Sequence, residues 1–270
     1  MKPPPFAYHR PESREEVDRL LAEHGDEAKI LAGGQSLIPI LNMRLSAPAR
    51  LIDINGLRDE PSEPEPEGDR IHFGPLVRQA AVEHWPGLAT HAPALAEALA
   101  YTAHPAIRSR GTLAGSVAHA DPSAELPAAV LALDGEVRCR SAEGTRTIRA
   151  REFFVGALET ALQPTEWVDR VSVPAHRAGT GYAVEELARR HGDYAICGVV
   201  AVASDGAPVT LVHFGIGELP HRTELDDPGD LPDALAQLEF TGDLHATAGY
   251  RRRLAHVLGE RAARRAMERR

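Results

Sequence analysis

Two short segments of this 270-residue chain combine glycines with hydroxyl side chains in a spacing suited to binding an anion. The first is Leu31–Ile38, in which Gly33 and Gly34 follow an apolar run and precede residues with helical spacing. Glycine adopts positive φ without strain and has no Cβ, so main-chain N–H groups can approach a ligand closely. We expect Ser36 to cap the following helix, whose first N–H groups would favour a negative charge. This segment therefore predicts a binding site for a diphosphate.

The second segment covers residues 102–122, is rich in small residues and has neither helical nor strand periodicity. Within it Gly111 and Gly115 flank Thr112, and we expect a second loop that lets backbone approach a ligand. Neither segment contains the Gly-x-Gly-x-x-Gly of a Rossmann site or the Gly-Lys-Ser/Thr of a P-loop. No serine of either segment lies in a Gly-x-Ser-x-Gly motif, which disfavours a hydrolase nucleophile.

Composition excludes several other classes of protein. Hydrophobic residues make up 43% of the chain and the mean hydropathy is -0.27, as in an ordinary globular protein. No apolar run approaches the ~18 residues of a membrane span, and the N-terminus is unlike a signal peptide, so we expect a cytoplasmic protein. A net charge of -9 disfavours general nucleic-acid binding. The two cysteines, Cys139 and Cys197, exclude a disulfide framework and the four thiolates of a plant-type iron–sulfur cluster.

Helices and strands predicted from apolar spacing surround both segments. A helix is predicted over 12–24, because Ser13 and Glu16 form a capping box and Gly25 can end it. The other predictions are, in chain order, a strand at 49–54 closed by the turn Asn55-Gly56, a mobile Pro/Glu-rich loop at 59–69, a strand at 71–74, helices at 76–84, 88–100 and 123–133, a hairpin of 136–140 with 146–149, a strand at 166–173, a hinge at 178–181, antiparallel strands at 182–187, 195–202 and 208–215, and helices at 231–238 and 248–267.

The two segments together resemble the FAD loops of one protein family. Leu31–Ile40 and Ile107–Pro127 are similar to the two loops of the FAD-binding (medium) subunit of molybdenum hydroxylases. Members include the medium subunit of carbon monoxide dehydrogenase and the flavin domain of xanthine dehydrogenase. A third segment, Tyr182–Ala195, resembles the part of these proteins that opens the C-terminal domain and faces the flavin. The resemblance extends from Phe6 to the final helix, and the spacing of the three segments agrees.

This resemblance implies an α+β fold with two domains. Residues 1–176 would form an FAD-binding region of the vanillyl-alcohol-oxidase (PCMH) type, with subdomains at about 1–56 and 57–176. Residues 177–270 would form a small C-terminal α/β domain with a three-stranded antiparallel sheet, like that of the carbon monoxide dehydrogenase flavoprotein. FAD would lie in the cleft between the two domains.

The resemblance also implies which residues bind the diphosphate of FAD. They are Ala32, Gly33, Gly34, Gln35 and Ser36 in the first loop, and Gly111, Thr112, Ala114, Gly115 and Ser116 in the second. Backbone N–H groups and hydroxyls can satisfy a diphosphate without a crowd of arginines. The family usually has two consecutive glycines where this chain has Ala114-Gly115. If that position needs positive φ, the alanine is strained and FAD binding is weakened.

Five further residues match positions near the cofactor in relatives. Thr102 matches a position beside the flavin, and Val168 matches a backbone contact to its edge, although a valine is equally an ordinary strand residue. Glu125 matches an acidic residue directed at a ribose hydroxyl, the alternative being a solvated helix carboxylate. Glu185 stands where several relatives have a lysine near the isoalloxazine, so the charge is reversed. Tyr194 matches an aromatic residue that shields the isoalloxazine, and its alternative is a tyrosine of the sheet.

The implied function is that of an electron-transfer oxidoreductase subunit with FAD as its cofactor. The molybdenum cofactor would lie on a large partner subunit and two [2Fe–2S] clusters on a small one, in a heterotrimer or its dimer. We expect neither a catalytic residue nor a metal site in this chain. Two alternatives stay open: a stand-alone FAD-dependent oxidoreductase of the same wider fold, and a scaffold subunit that has lost FAD, suggested by Ala114 and Glu185.

Overall fold

The computed structural model describes all 270 residues and has the α+β fold predicted from the sequence. The helices are α1 (Arg14–His24), α2 (Leu37–Asn42), α3 (Gln79–His84), α4 (Leu88–His91), α5 (Pro93–Tyr101), α6 (Pro105–Arg108), α7 (Leu113–His119), α8 (Glu125–Ala132), α9 (Ala150–Phe153), α10 (Leu231–Ala236) and α11 (Ala248–Glu268). The strands are β1 (Ala7–His9), β2 (Ala28–Leu31), β3 (Arg50–Asp53), β4 (Glu65–Glu67), β5 (Arg70–Phe73), β6 (Glu136–Ser141), β7 (Gly144–Arg149), β8 (Phe154–Gly156), β9 (Glu159–Thr160), β10 (Trp167–Pro174), β11 (Thr180–Ala188), β12 (Ala195–Ser204), β13 (Val209–Phe214) and β14 (His221–Leu225).

The first sheet is parallel, with strand order β1-β3-β2, and α1 packs against it. As predicted, the Ser13 side chain accepts a hydrogen bond from the Glu16 N–H, and the helix ends at Gly25. Val17 and Leu21 of α1 lie in a small core with Ile52 of β3. This packing fixes the end of β2, and the first glycine-containing segment begins there.

The second sheet has the order β4-β5-β10-β6-β7 and includes the predicted hairpin of β6 and β7. The prediction of a mobile loop over 59–69 was wrong in its second half. Residues 65–67 form strand β4, which pairs with β5 through a two-residue turn at 68–69. The acidic and proline-rich composition hid this strand, because both residue types are rare in strands and Pro66 is tolerated only at a sheet edge.

The segment 102–122 was predicted to be an irregular loop, and this prediction was wrong in part. It contains helices α6 and α7, which have only four and seven residues. Pro105 occupies the first turn of α6, and the Thr112 hydroxyl caps α7 by accepting a hydrogen bond of 2.9 Å from the Gly115 N–H. Helices this short show little periodicity and are stabilised by their caps and their tertiary contacts.

The C-terminal sheet is antiparallel with the order β11-β12-β13-β14. Its first three strands were predicted, and the fourth corrects the expectation of a three-stranded sheet. β14 is a short, polar edge strand (His-Arg-Thr-Glu-Leu) without the apolar alternation of its neighbours.

The two faces of this sheet contact different parts of the chain. Ala183 and Ala201 lie on the face that packs against α11. Val184 and Val200 lie on the other face, within a large core that also contains α5 and α8. Side chains that alternate along β11 therefore point either to α11 or to the N-terminal helices. None of the helices has both the length and the apolar content that a membrane crossing requires.

Candidate functional site

The two glycine-containing segments touch each other at Gly33. A Cβ on Gly33 would lie 2.4 Å from the Arg110 carbonyl oxygen and 2.7 Å from the Gly111 Cα, so only glycine permits this contact. The next residue, Gly34, has φ of +73° and lies between the side chains of Leu31 and Ile38. We call residues 32–36 and 111–116 together the two-loop cradle.

The cradle contains backbone donors with no partner in the chain. The N–H groups that donate no hydrogen bond to another residue include those of Gly33, Gly34, Gln35, Ser36, Thr112 and Ala114. Thr112 and Ala114 are each only 2% exposed, and backbone N–H groups away from water are nearly always paired. Such a group of neutral donors suits an oxygen-rich anion, for which it supplies hydrogen bonds without bringing a full charge.

Ser36 does not cap α2, and that prediction was wrong. Its backbone already has helical angles (φ -102°, ψ -48°), and its side chain makes no capping hydrogen bond. A capping serine needs extended angles to turn its oxygen back to the helix N–H groups. The Ser36 side chain instead lies beside the phenol of Tyr194, in the segment between β11 and β12.

Ala114 is not strained. It lies in the first turn of α7 and is absent from the residues with positive φ. A second glycine is therefore unnecessary here, since a helical φ suits alanine better than glycine. Gly115 follows it, with its N–H bonded to the Thr112 hydroxyl.

The third segment named from the sequence approaches the second one. Gly192 packs directly against the His104 ring and the Ala103 carbonyl, at 2.7–2.8 Å from its virtual Cβ. Two residues later, Tyr194 is 62% exposed. Its pKa is raised because neighbouring protein replaces water and because the carboxylates of Asp121 and Glu125 are close. Tyr194 therefore places a large ring at the edge of the cradle.

Two carboxyl groups that are distant in the chain, those of Glu125 and Glu186, lie close to each other. Glu125 begins α8, is 5% exposed, and has its pKa raised to about 7 by burial, against the smaller opposing effect of the backbone N–H at the start of the helix. Glu186 of β11 has its pKa raised to about 8 by burial and by the charge of Glu125. Its Oε2 is buried without a hydrogen-bond partner. We call Asp121, Glu125 and Glu186 the acidic cluster.

Glu185 is not brought to the cradle. It shares a row of the sheet with Val199 and His213, on the face covered by α11. There it forms an ion pair with Arg265 of α11. Glu186 is on the opposite face, next to Glu125, and sequence reasoning missed it. The alternation along β11 could have identified it, because Val184 and Glu186 must point the same way.

Of the other two residues predicted from the sequence, the structure brings one to the site. Thr102 is buried beside Glu125, and its hydroxyl donates a 2.8 Å hydrogen bond to the Ala98 carbonyl. Val168 pairs with Cys139 in the second sheet, and its side chain lies in the large core; its match to a backbone contact stays a prediction.

The chemistry that this arrangement supports is binding rather than nucleophilic attack. Burial raises the pKa of both Cys139 and Cys197 to about 12, which disfavours either thiol as a nucleophile at neutral pH. The free donors of the cradle and the carboxyl groups of the acidic cluster are instead suited to the phosphate and hydroxyl groups of a nucleotide.

Comparison with known proteins gives one consistent result. The family described as "FAD binding domain in molybdopterin dehydrogenase" matches residues 4–176. Caffeine dehydrogenase subunit beta from Pseudomonas sp. is 37% identical, with 100% of this chain and 97% of that protein covered. The carbon monoxide dehydrogenase medium chain of Afipia carboxidovorans is 35% identical, with 100% and 99% covered. A chain of carbon monoxide dehydrogenase from Hydrogenophaga pseudoflava has a TM-score of 0.93 at 32% identity, with 99% of both chains covered.

Proposed function

The chain belongs to the family of FAD-binding domains in molybdopterin dehydrogenases, and from this premise we propose that it carries electrons from an iron–sulfur partner to an external acceptor. The family resemblance found in the sequence is confirmed, together with FAD as the cofactor and the oxidoreductase class. The chain is the FAD subunit, or medium subunit, of a molybdenum-hydroxylase-type complex. The observation that carries the proposal is the two-loop cradle, with its run of free N–H donors.

The residues present fit FAD. The N–H groups of Gly33 to Ser36 and of Thr112 and Ala114 would hold its diphosphate, since they donate to nothing else in the chain. Glu125 would accept a hydrogen bond from a ribose hydroxyl, and burial makes its side chain rigid enough to orient that group. The exposed ring of Tyr194 would cover the ligand and limit the access of water.

When bound, FAD supplies a redox centre that exchanges electrons with an iron–sulfur cluster and with an acceptor such as a quinone, NAD or oxygen. The chain's own residues have to hold and orient this group and to control what reaches it. That task needs no general acid or base, and it agrees with a site whose unpaired polar atoms are mainly backbone N–H groups.

We propose that the partners are a large subunit with the molybdenum cofactor and a small subunit with two [2Fe–2S] clusters. Relatives are named as a medium chain or as one subunit of a dehydrogenase, which supports a multi-subunit assembly. The two buried thiols of this chain leave no ligand set for a cluster of its own. A cytoplasmic location stays a prediction from the sequence.

The proposed domain boundaries are 1–176, with subdomains at about 1–56 and 57–176, and 177–270. The sheets support this division, because no sheet combines strands from two of the groups β1–β3, β4–β10 and β11–β14, which fall within those ranges. The large core crosses the main boundary, since Val184 and Phe214 pack with the helices of the second subdomain. FAD would lie along that boundary, where the cradle meets Tyr194.

The two alternatives have less support. A scaffold subunit without FAD was suggested by Ala114 and Glu185. Ala114 is unstrained, however, and Glu185 is paired with Arg265 on the far face of the sheet. A stand-alone oxidoreductase would need a substrate pocket with its own acid or base beside the cradle, whereas the relatives are named as subunits of dehydrogenases or hydroxylases.

The test compares the isolated chain with the reconstituted complex. We expect the isolated chain, loaded with FAD, to show flavin absorption that dithionite bleaches, and to give no steady oxidation of caffeine or carbon monoxide. With a large and a small subunit from the same genome, steady substrate-dependent reduction of an added acceptor should appear. Steady substrate oxidation by the isolated chain would show that the stand-alone alternative is correct.

A further inference from the structure

We propose that Asn55 and Arg78 are positioning residues that hold the two loops of the cradle in register for FAD. The inference rests on the proposed function and extends it to residues outside both loops. Asn55 belongs to the Asn-Gly turn that follows β3, and Arg78 immediately precedes α3. A hydrogen-bonded chain through these two side chains joins the first loop to the second.

The Asn55 side-chain amide acts both as a hydrogen-bond donor and as an acceptor. Its Nδ2 donates to the Ala32 carbonyl at 2.7 Å and to Asp53 Oδ1 at 2.5 Å, while its Oδ1 accepts from the Arg78 guanidinium. Only an amide offers a donor on one side and an acceptor on the other with this reach. Asn55 thus fixes the carbonyl at which the first loop of the cradle begins.

Arg78 lies opposite Thr112 of the second loop in an isolated β-bridge, and its side chain contacts the same loop. The neighbouring residues pair with that loop through Gln79 N–H to Gly111 O at 2.8 Å and Leu113 N–H to Val77 O at 3.2 Å. The Arg78 guanidinium donates from Nη1 to the Arg110 carbonyl at 2.5 Å and from Nη2 to Asn55.

The Arg110 carbonyl is the point where these contacts converge. The same oxygen lies 2.4 Å from the position that a Cβ of Gly33 would occupy. Arg78 therefore holds the group against which the first loop packs, and a shift of that carbonyl would change the spacing of the free N–H donors on the two loops.

The chain of hydrogen bonds is anchored in the first sheet by Asp53. Its Oδ2 accepts from the Tyr8 hydroxyl at 2.5 Å, and its Oδ1 also accepts from the Asn55 N–H at 3.0 Å. Burial acts to raise the pKa of Asp53, but the hydrogen bonds from Tyr8 and Asn55 outweigh it, so the pKa is lowered. The carboxylate remains charged and keeps the Asn55 amide in one orientation.

The experiment measures the FAD dissociation constant of the full chain after changes in this network. We expect R78M to weaken FAD binding by about tenfold, as for the loss of one hydrogen-bonded charge. In R78K the shorter, single-headed ammonium group reaches only one of the two acceptors at a time, so the loss of FAD affinity should be smaller. The matched control is R151M, because Arg151 also joins two elements through Asp134 (2.9 Å) and Glu224 (3.1 Å). R151M should leave FAD affinity unchanged.

Two further readouts separate positioning from general stability. The melting temperature of the FAD-free chain should change equally in R78M and R151M. The increase in melting temperature that FAD binding causes should become smaller only in R78M. The double variant N55A/R78M should lose no more affinity than the weaker-binding single variant, because the two residues act as one unit.

The proposal is wrong if R78M and N55A bind FAD as the wild type does, or if their losses simply add in the double variant. Should R78M fail to fold, N55A and R78K provide the same comparison. A wild-type chain that binds no FAD would overturn the proposed function together with this inference, whereas normal FAD binding by both wild type and R78M would overturn the inference alone.

Discussion

The two-loop cradle offers a ligand unpaired backbone N–H donors, whereas the acidic cluster offers side-chain carboxyl groups, among them Glu125 of α8 and Glu186 of β11. The cradle keeps its hydrogen-bonding character at any moderate pH, since an amide does not titrate. The acidic cluster changes charge near neutral pH, because burial raises the pKa of Glu125 to about 7 and of Glu186 to about 8. The two regions should therefore respond differently to mutation and to pH.

The difference also shows how each region is encoded. Each loop of the cradle is encoded locally, although the two loops are distant in the chain: Gly33 and Gly34 come just after β2, and the close approach of Gly33 to Arg110 depends on the absence of a Cβ. The acidic cluster is assembled from residues 61 positions apart in the chain, Glu125 and Glu186, which only the packing of β11 on the N-terminal helices brings together.

The largest effect is expected for a substitution that separates the two loops. In G33A the new methyl group would meet the Arg110 carbonyl at 2.4 Å, so backbone must move and the donors of the cradle lose their alignment. Losing two or more hydrogen bonds to a charged ligand weakens FAD binding by about 100-fold or more. Isothermal titration calorimetry with FAD measures the change in dissociation constant.

The control for G33A is G249A in α11, where a Cβ would meet nothing within 4 Å and φ is not positive. G249A should keep wild-type FAD affinity and gain slightly in stability, since alanine is the better helix former. Equal FAD affinities in G33A and G249A would mean that the contact between the loops is irrelevant to the ligand.

An intermediate effect is expected at the acidic cluster, and it should depend on pH. A carboxyl group whose pKa is raised on folding binds its proton more tightly in the native state. The stability gained from this proton is therefore full below about pH 4.5 and is lost as the pH rises towards 8, where the buried carboxylate becomes charged. E186Q replaces this group with a neutral amide and so removes the cost of burying the charge. Its melting temperature should exceed that of the wild type by about 2–4 °C at pH 8.5 and match it near pH 4.5.

E218Q is the control for this measurement, because Glu218 is an exposed carboxylate between β13 and β14 of the same sheet. It should give a difference from wild type that does not change between the two pH values. A stabilisation by E186Q that is equally large at both pH values would show that burial of its charge is not the cause.

The smallest effect on FAD is expected for E185Q. This change breaks the ion pair with Arg265 on the α11 face and should lower the melting temperature by about 2 °C or less, as for a partly exposed pair. FAD affinity should stay within about twofold of wild type, since Glu185 points away from the cradle. A loss of FAD affinity close to that of G33A would restore Glu185 as a cofactor contact.

The sequence predicted well those features that depend on neighbouring residues. The capping box of α1, the hairpin of β6 and β7 and the glycines of the cradle each follow from residue types a few positions apart. The resemblance to the FAD subunits then supplied the pairing of the two loops, which spacing alone does not determine.

The features that it missed depend on tertiary contacts. Helices α6 and α7 are too short to show periodicity, and α6 is held by Arg108, which bonds to Glu83 and to the Thr102 carbonyl. β14 is recognisable only by its pairing with β13. Ser36 was assigned as a cap because serine favours that position, but its helical backbone angles leave its side chain without a capping hydrogen bond.

The central claim, that the two-loop cradle binds the diphosphate of FAD, is tested most directly by a titration of the chain with FAD in wild type and in G34D. Gly34 has φ of +73°, and an aspartate there would place a carboxylate among the free donors. We expect wild type to bind equimolar FAD with flavin absorption in the near-ultraviolet and the blue, and G34D to retain none. Unchanged FAD stoichiometry in G34D, or no flavin absorption in the reconstituted wild type, would contradict the claim.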